Sequence, residues 1–424
     1  MTTRQDALAL DARDPLAALR AQFSLPEDVI YLDGNSLGVL PTATPARVAA
    51  AVQDEWGSGL IRSWNSAGWV DLPQRVGDKI GRLIGAGPGQ TLAADSTSVN
   101  LFKVLSAALA IVKAGGDTQR RVIVSERSNF PTDLYIAESL ARQHGFTLKL
   151  VEPDEIAAQF DGSLAVLMLT HVNYRTGRMH DMAALTRAAH ACGALALWDL
   201  AHSAGAVPVD LLGADADFAV GCGYKYLNGG PGAPGFLWVN PRQLERMERD
   251  GLWQPLAGWF GHAAPFEFSP HYRPAAGIVR FSCGTPPVLG LTALEVGVDT
   301  LLAAESLGGM AALRRKSLAL TCHFITLVEK HCAGHGLSVI TPRTEGERGS
   351  QVNLARADGA YAIVQALIAR GVIGDFRAPD NLRFGFTPLY TRFVDVWDAV
   401  EHLRQVLDTG EWKEARFHQK AAVT

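Results

Sequence analysis

Long runs of any single kind are what this sequence lacks. Its five cysteines (Cys192, Cys222, Cys283, Cys322 and Cys332) are odd in number and scattered, with no C-x-x-C pair. That excludes a disulfide framework, leaves no metal site to expect, and fits reduced thiols in the cytoplasm. No Lys/Arg-rich tract occurs and the net charge is only −4, so nothing favours a nucleic-acid or membrane surface. The longest apolar runs, such as "LAVLML" and "SAALAIV", are far too short to span a bilayer. The opening "MTTRQDALALDARDPLAALR" mixes acids and bases and has no signal-peptide core. Fixed-period repeats, low-complexity tracts, a Walker G-x-x-x-x-G-K-[ST] and a Rossmann G-x-G-x-x-G are absent too. What is there is a globular composition: 424 residues, 48% hydrophobic and 19% charged, enough for two domains with a sizeable core.

From about residue 90 to 240, short apolar strands alternate with helical patterns. "RVIVSE", "FTLKLVE", "SLAVLMLTHV", "ALALWD", "ADFAVG" and "PGFLWVN" read as strands. "PTDLYIAESLARQHG" and "DMAALTRAAHACG" have helical spacing and glycine stops. Strands separated by helices predict an α/β fold with a large, mostly parallel sheet. In such sheets ligands bind beyond the carboxyl ends of the strands. The last third, with "ALRRKSLALTCHFITLVEKHC", "SQVNLA", "NLRFGF" and "VDVWDAVEHLRQVLDTG", predicts a smaller α+β domain beginning near Pro286–Pro287. The expected division is an N-terminal segment (1–45) packing with the small domain, a large domain (46–287) and the small domain (288–424).

Lysine is an expensive residue at the end of a buried strand, because desolvating its ammonium costs several kcal/mol. Lys225 nevertheless ends "ADFAVGCGYK", just before the turn "YLNGGPG". A partly desolvated lysine has a lowered pKa and attacks aldehydes to form a Schiff base; the ordinary reading is a side chain snorkelling to solvent. Asp199, 26 residues earlier, ends "GALALWD". It offers the carboxylate that keeps a pyridine nitrogen protonated, or else an ordinary N-cap. Ser96, Thr97 and Ser98 precede a strong helix and offer an anion cradle, or simple capping. "NFPTD" places Phe130 to lie on a flat ring and Asp133 near its nitrogen, or merely starts a helix. Arg383 in "NLRFGF" suits a substrate carboxylate, or a salt bridge.

Together these segments resemble fold-type I pyridoxal phosphate (PLP) enzymes of the aminotransferase class V group, and within it the kynureninase family. The matches are "YLDGNSLG", "STSVNLFKVL", "NFPTD", "WDLAHSAG", "YKYLNGGPG", "GWFGH", "FSCGTPP" and "LRFGFTPLY", in order along nearly the whole chain. The resemblance implies a hydrolase acting on carbon–carbon bonds, cleaving L-kynurenine, and 3-hydroxykynurenine as a further substrate, to an anthranilate and L-alanine in tryptophan catabolism. It implies that Lys225 carries the cofactor and moves protons, and that Asp199 pairs with the ring nitrogen, Asp133 nearby. Phe130 would stack on the ring, and His202 would contact the cofactor's oxygen side. Thr97, Ser98, Thr170 and Tyr224 would complete the cofactor site, Tyr224 near the phosphate or as a proton donor. Trp259 and Thr285 would reach the phosphate across a homodimer interface, and Arg383 would hold the α-carboxylate. Trp64, with Gly284 and Thr285, resembles the type that prefers kynurenine over its 3-hydroxy form.

Two other readings compete. A cysteine desulfurase or selenocysteine lyase of the same fold needs an activated thiolate on a mobile loop, and only Cys283, in the "TPP" turn, is awkwardly placed for excluding it. A non-catalytic PLP-binding protein of this fold would have no need to retain both Lys225 and Asp199.

Overall fold

The computed structural model describes residues 3–420. Thirteen strands occur among them: β1 (Ile30–Tyr31), β2 (Thr91–Ala93), β3 (Val122–Glu126), β4 (Thr147–Val151), β5 (Leu164–Thr170), β6 (Leu195–Asp199), β7 (Phe218–Gly221), β8 (Phe236–Val239), β9 (Ser338–Val339), β10 (Gln351–Ala355), β11 (Val372–Ile373), β12 (Asp375–Arg377) and β13 (Asn381–Gly385). Seven of them form one sheet in the order β2-β8-β7-β6-β5-β3-β4. Its pairings are parallel except those made by β8, which runs against both of its neighbours. Every residue of β5, β6, β7 and β8 is buried, as expected where helices cover both faces.

The helices start and stop where local chemistry dictates. Asp181 caps Met182–Ala191 by accepting from the Ala184 N–H at 2.9 Å. Pro131 opens Pro131–His144, and Gly145 closes it in the left-handed conformation at φ 74°, a position where glycine carries no steric penalty. The helix Thr97–Ala114 is long and apolar enough to cross a membrane, yet here it lies in the core: Leu101, Val104, Leu105 and Ile111 are at most 1% exposed.

A four-stranded antiparallel sheet, β12-β13-β10-β9, lies beside the helices Gly309–His331, Ala360–Ala369 and Phe393–Thr409. Its own core joins Phe324, Leu354, Ile363, Phe384 and Leu403. The N-terminal segment serves both layers. β1 pairs with β11, and Ala7 and Leu32 enter this second core, whereas Leu16, Leu19, Phe23 and Val39 enter the first. The helix Val288–Leu302 lies past the boundary expected at Pro286–Pro287, yet it gives Leu291, Leu294, Val298 and Leu301 to the first core.

Candidate active site

The carboxyl edge of the large sheet gathers the polar residues. Thr170 and Asp199 end β5 and β6 and are partners in register. Beyond the ends of β3 and β7 come the loops carrying Phe130 and Lys225. The resulting pocket is lined by Thr97, Ser98, Phe130, Asp133, Thr170, Asp199, His202, Tyr224 and Lys225, all anticipated from sequence.

Lys225 Nζ lies 3.0 Å from His202 Nε2 and 5.9 Å from the Phe130 ring centre. Burial lowers the lysine's pKa, and the charges of Arg383 and Arg377 push the same way against Cys222 and Asp199. Burial likewise holds His202 well below the ordinary imidazole value, with Lys225 adding to the effect. The shift is in the direction that favours the free amine, the form that acts as a nucleophile.

Opposite it stand two buried carboxyls. Asp199 Oδ1 accepts from the Ala201 N–H at 2.7 Å, while neither oxygen of Asp133 has a hydrogen-bond partner. Burial raises both, and Asp133 is pushed up further by the charge of Asp199. Two such groups so close cannot both ionise comfortably without a cation between them. Thr170 donates to Asn129 Oδ1, which also accepts from the Phe130 N–H at 2.6 Å; Asn129 thus fixes the loop that carries Phe130.

The third wall is the N-terminus of Thr97–Ala114. Ser96 caps it by accepting from Val99 N–H, and Ser98 Oγ lies 2.9 Å from Thr132 Oγ1. Free N–H groups, hydroxyls and the helix dipole favour an anion here. Beneath it, a Cβ on Gly235 would stand 2.9 Å from Thr97 N, so only glycine lets the chain pass this close. A buried carboxyl pair, a depressed lysine and an anion cradle in one pocket fit a planar aldehyde with a basic ring nitrogen and a phosphate. That is the chemistry of PLP.

Arg383 is not on this pocket's wall. It lies 2% exposed on β13, with Asp375 its cross-strand neighbour. Its Nε donates to Asp375 Oδ1 at 2.8 Å, Nη2 to Ser36 Oγ at 2.7 Å and Nη1 to the Tyr174 carbonyl at 3.2 Å. Tyr174 lines the pocket and stacks edge-on against Phe130, 5.3 Å between centres, so one residue connects the arginine to the site. The N-terminal loop closes the arrangement: Gly38 N–H donates to the Tyr224 carbonyl at 2.8 Å.

Trp64, Trp259, Gly284 and Thr285 lie elsewhere. Trp64 and Trp259 share a surface groove with Ile61 and Phe266, and Trp64 and Thr285 share another with Trp56 and Trp69. Trp259 is 41% exposed. Within one chain these residues do not meet Lys225.

Sequence reasoning passed over Thr132, Tyr174 and Cys222, which also line the pocket. Thr132 lies inside "NFPTD" and Cys222 inside "CGYK", so proximity in sequence was an available signal. Tyr174 had none, because its place depends on how the "VNYRTG" turn folds back.

Residues 313–403 match a family model described as the kynureninase C-terminal domain. The kynureninase of Pseudomonas fluorescens is 58% identical over 427 residues, covering all of both chains. That of Burkholderia pseudomallei strain K96243 is 56% identical with the same full coverage. Among solved structures, the apo cysteine desulfurase of Thermococcus onnurineus NA1 superposes with TM-score 0.76 at 17% identity, over 92% of this chain and 98% of that one. The cysteine desulfurase CsdA of Escherichia coli gives 0.74 at 19% identity, over 93% and 98%. At such identities these two share the fold.

Proposed function

Because this chain belongs to the kynureninase family, we propose that it binds PLP on Lys225 and hydrolyses L-kynurenine to anthranilate and L-alanine. The observation that carries this reading is the depressed Lys225 facing the unpartnered Asp133 beside Asp199. When bound, PLP supplies an aldehyde that an amine captures and a protonated ring that draws electrons from the substrate's α-carbon.

Asp199 would hold the proton on the ring nitrogen, and Asp133 would share the resulting charge. Thr97 and Ser98 would hold the phosphate, and Thr170, His202 and Phe130 would hold the ring. Arg383, with a single N–H on Nη1 left beside its bonds to Asp375, Ser36 and Tyr174, would hold the substrate α-carboxylate at the far side of Tyr174. Lys225 Nζ, as the free amine, would be the base that takes the substrate's α-proton and later gives a proton back. In the overall hydrolysis the hydroxyl of water ends on the aryl carbonyl carbon, giving the carboxyl of anthranilate, while the electron pair of the broken Cβ–Cγ bond stays on Cβ and takes a proton to give the methyl group of alanine. Burial raises the Tyr224 hydroxyl above its usual value, so it keeps its proton at neutral pH and is better suited to donate a hydrogen bond to the phosphate than to give the proton up.

The site is completed by a second copy. Exposed Trp56, Leu60, Ile61, Trp259, Phe266 and Phe268 support a homodimer in which Trp259 and Thr285 reach the phosphate of the neighbouring site, with Trp64 and Gly284 facing the substrate ring. Such a wall, poor in hydrogen-bonding groups, favours kynurenine over 3-hydroxykynurenine. The cytoplasm suits its reduced thiols. A desulfurase reading is disfavoured by the full-length kynureninase relatives, and burial raises the thiols of Cys222 and Cys332, the reverse of an activated thiolate.

The test is to incubate the PLP-loaded protein with L-kynurenine and with 3-hydroxykynurenine. Fluorescent anthranilate and equimolar alanine are expected from the first, faster than the corresponding product from the second. No product from either, with PLP bound, overturns the assignment.

A further inference from the structure

Lys103 is the most deeply buried cation of the large layer, and the mechanism above does not use it. It sits two turns into Thr97–Ala114 with its side chain 0% exposed. Its ammonium donates to the Asp95 carboxylate and, at 2.6 Å, to the Phe281 carbonyl. Burying an ammonium so completely is costly unless its partners are well placed, so both ends of this link are held firmly.

Each end leads to a different part of the site. Asp95 is the residue before the helix cap Ser96 and adopts φ 46°, a left-handed conformation that non-glycine residues hold only when the surroundings impose it. Its carbonyl accepts from the Gly235 N–H at 2.9 Å, and Asn100 Nδ2 donates to the Ala94 carbonyl at 2.7 Å. The turn presenting Ser96, Thr97 and Ser98 is therefore set by Asp95.

Phe281 leads the other way, into the segment that ends in Gly284 and Thr285. That segment interlocks with the Trp259 loop. Phe260 N–H donates to the Cys283 carbonyl, and a Cβ on Gly258 would stand 2.1 Å from that oxygen. Trp259 and Thr285 thus ride on one rigid unit, tied through Phe281 to Lys103.

We propose that Lys103 is a positioning residue for the cofactor phosphate, fixing the Asp95–Ser98 turn and registering it to the unit that carries Trp259 and Thr285. The inference rests on the PLP reading above and adds to it a residue that touches neither cofactor nor substrate.

The experiment compares binding of PLP and of pyridoxal, which lacks the phosphate, to the apo form of the full chain, followed by tryptophan fluorescence quenching. Wild type is expected to prefer PLP strongly; no preference would overturn the phosphate cradle itself and hence the reading of the site. Lys103→Met is expected to lose at least about tenfold of the PLP-over-pyridoxal preference while still binding pyridoxal, since a displaced donor set costs about 1.4 kcal/mol or more per contact. Asp95→Ala, at a side chain one-third exposed, is expected to do the same. Asp95→Asn, which keeps an acceptor for the ammonium and tolerates positive φ, is expected to retain the preference. Both Asp95 variants remove the same charge. Asp95→Gly, at ease at positive φ but without an acceptor, is expected to lose the preference as Asp95→Ala does. That separates the lost link from backbone strain even where Lys103→Met does not fold, and a wild-type ratio in Asp95→Gly would overturn the proposal. A wild-type ratio in Asp95→Ala, or equal losses in Asp95→Ala and Asp95→Asn, would overturn the proposal.

Discussion

Replacing Asp33 by asparagine should stabilise this protein, and only above acidic pH. Asp33 opens the loop "DGNSLG" with Oδ1 sealed from solvent and without a partner. Burial, reinforced by the charge of Asp375, pushes its carboxyl from the ordinary 3.8 up to about 8, against the pull of Arg383 and Arg377. In the unfolded chain the group ionises above about pH 4, while the folded protein keeps the proton until about pH 8. Folding therefore loses stability as pH climbs between those values, and no penalty exists below them. At pH 7 the gap of about three units, at 1.36 kcal/mol each, sets a ceiling of about 4 kcal/mol. Because the residue keeps partial solvent contact, about 2 kcal/mol is the expected gain. Asparagine keeps the shape and removes the charge, so it escapes this cost. The assay is urea unfolding of the apo form, wild type against Asp33→Asn, at several pH values from 4.5 to 8.5. The midpoint difference should start near zero, grow to about pH 8 and then level, with equal m-values. A variant no more stable than wild type at pH 8 would refute the reasoning.

Four other outcomes follow from the same geometry. Lys225→Ala should cut anthranilate formation by at least about 10²–10⁴-fold, the usual worth of a positioned proton-transfer group, with the fold retained by circular dichroism. Asp217→Asn should destabilise by about 3 kcal/mol in urea titration, as does breaking a buried charge network. Burial opposes the Asp217 charge, but bonds from His190 and Ala196 with the charge of Arg242 lower its pKa overall, so the wild-type advantage is full at neutral pH and fades as pH falls through the folded value. Gly38→Ala would place a Cβ 2.5 Å from the Lys225 carbonyl and 2.7 Å from Asn228 Cα. Backbone must move, costing about 1–3 kcal/mol of stability and weakening PLP retention on gel filtration. Cys283→Ala should leave kynurenine turnover unchanged, whereas a desulfurase would lose its acceptor.

Most strands of the large sheet were legible in the sequence because strands buried on both faces are continuous apolar runs, and those from "RVIVSE" to "PGFLWVN" all appear as β3 to β8, the edge strand β4 by alternation instead. Their helices were legible through caps and glycine stops. β2 was not: three residues at a sheet edge carry too little pattern, and it exists by pairing with β8. β12 was missed for the same reason, and with it Asp375, the partner that orients Arg383. The site's large-sheet half was legible because strand ends converge on one edge by topology. The Arg383 half was legible only as a residue, since its neighbours Ser36 and Tyr174 come from segments over a hundred residues away. The resemblance implies that Trp259 and Thr285 act across a homodimer interface, and within one chain they line grooves apart from the Lys225 pocket, as does Trp64, which it implies at the substrate.

The loop at residues 33–38 has a practical consequence. Ser36 touches Asp375 and Arg383, and Gly38 is bonded to the turn that carries Lys225. Trimming the first forty residues, as is often done to obtain a tidier protein, would remove no catalytic group and would still be an active-site lesion. A protease that clips this stretch would act in the same way, as an off-switch worked from the end of the chain.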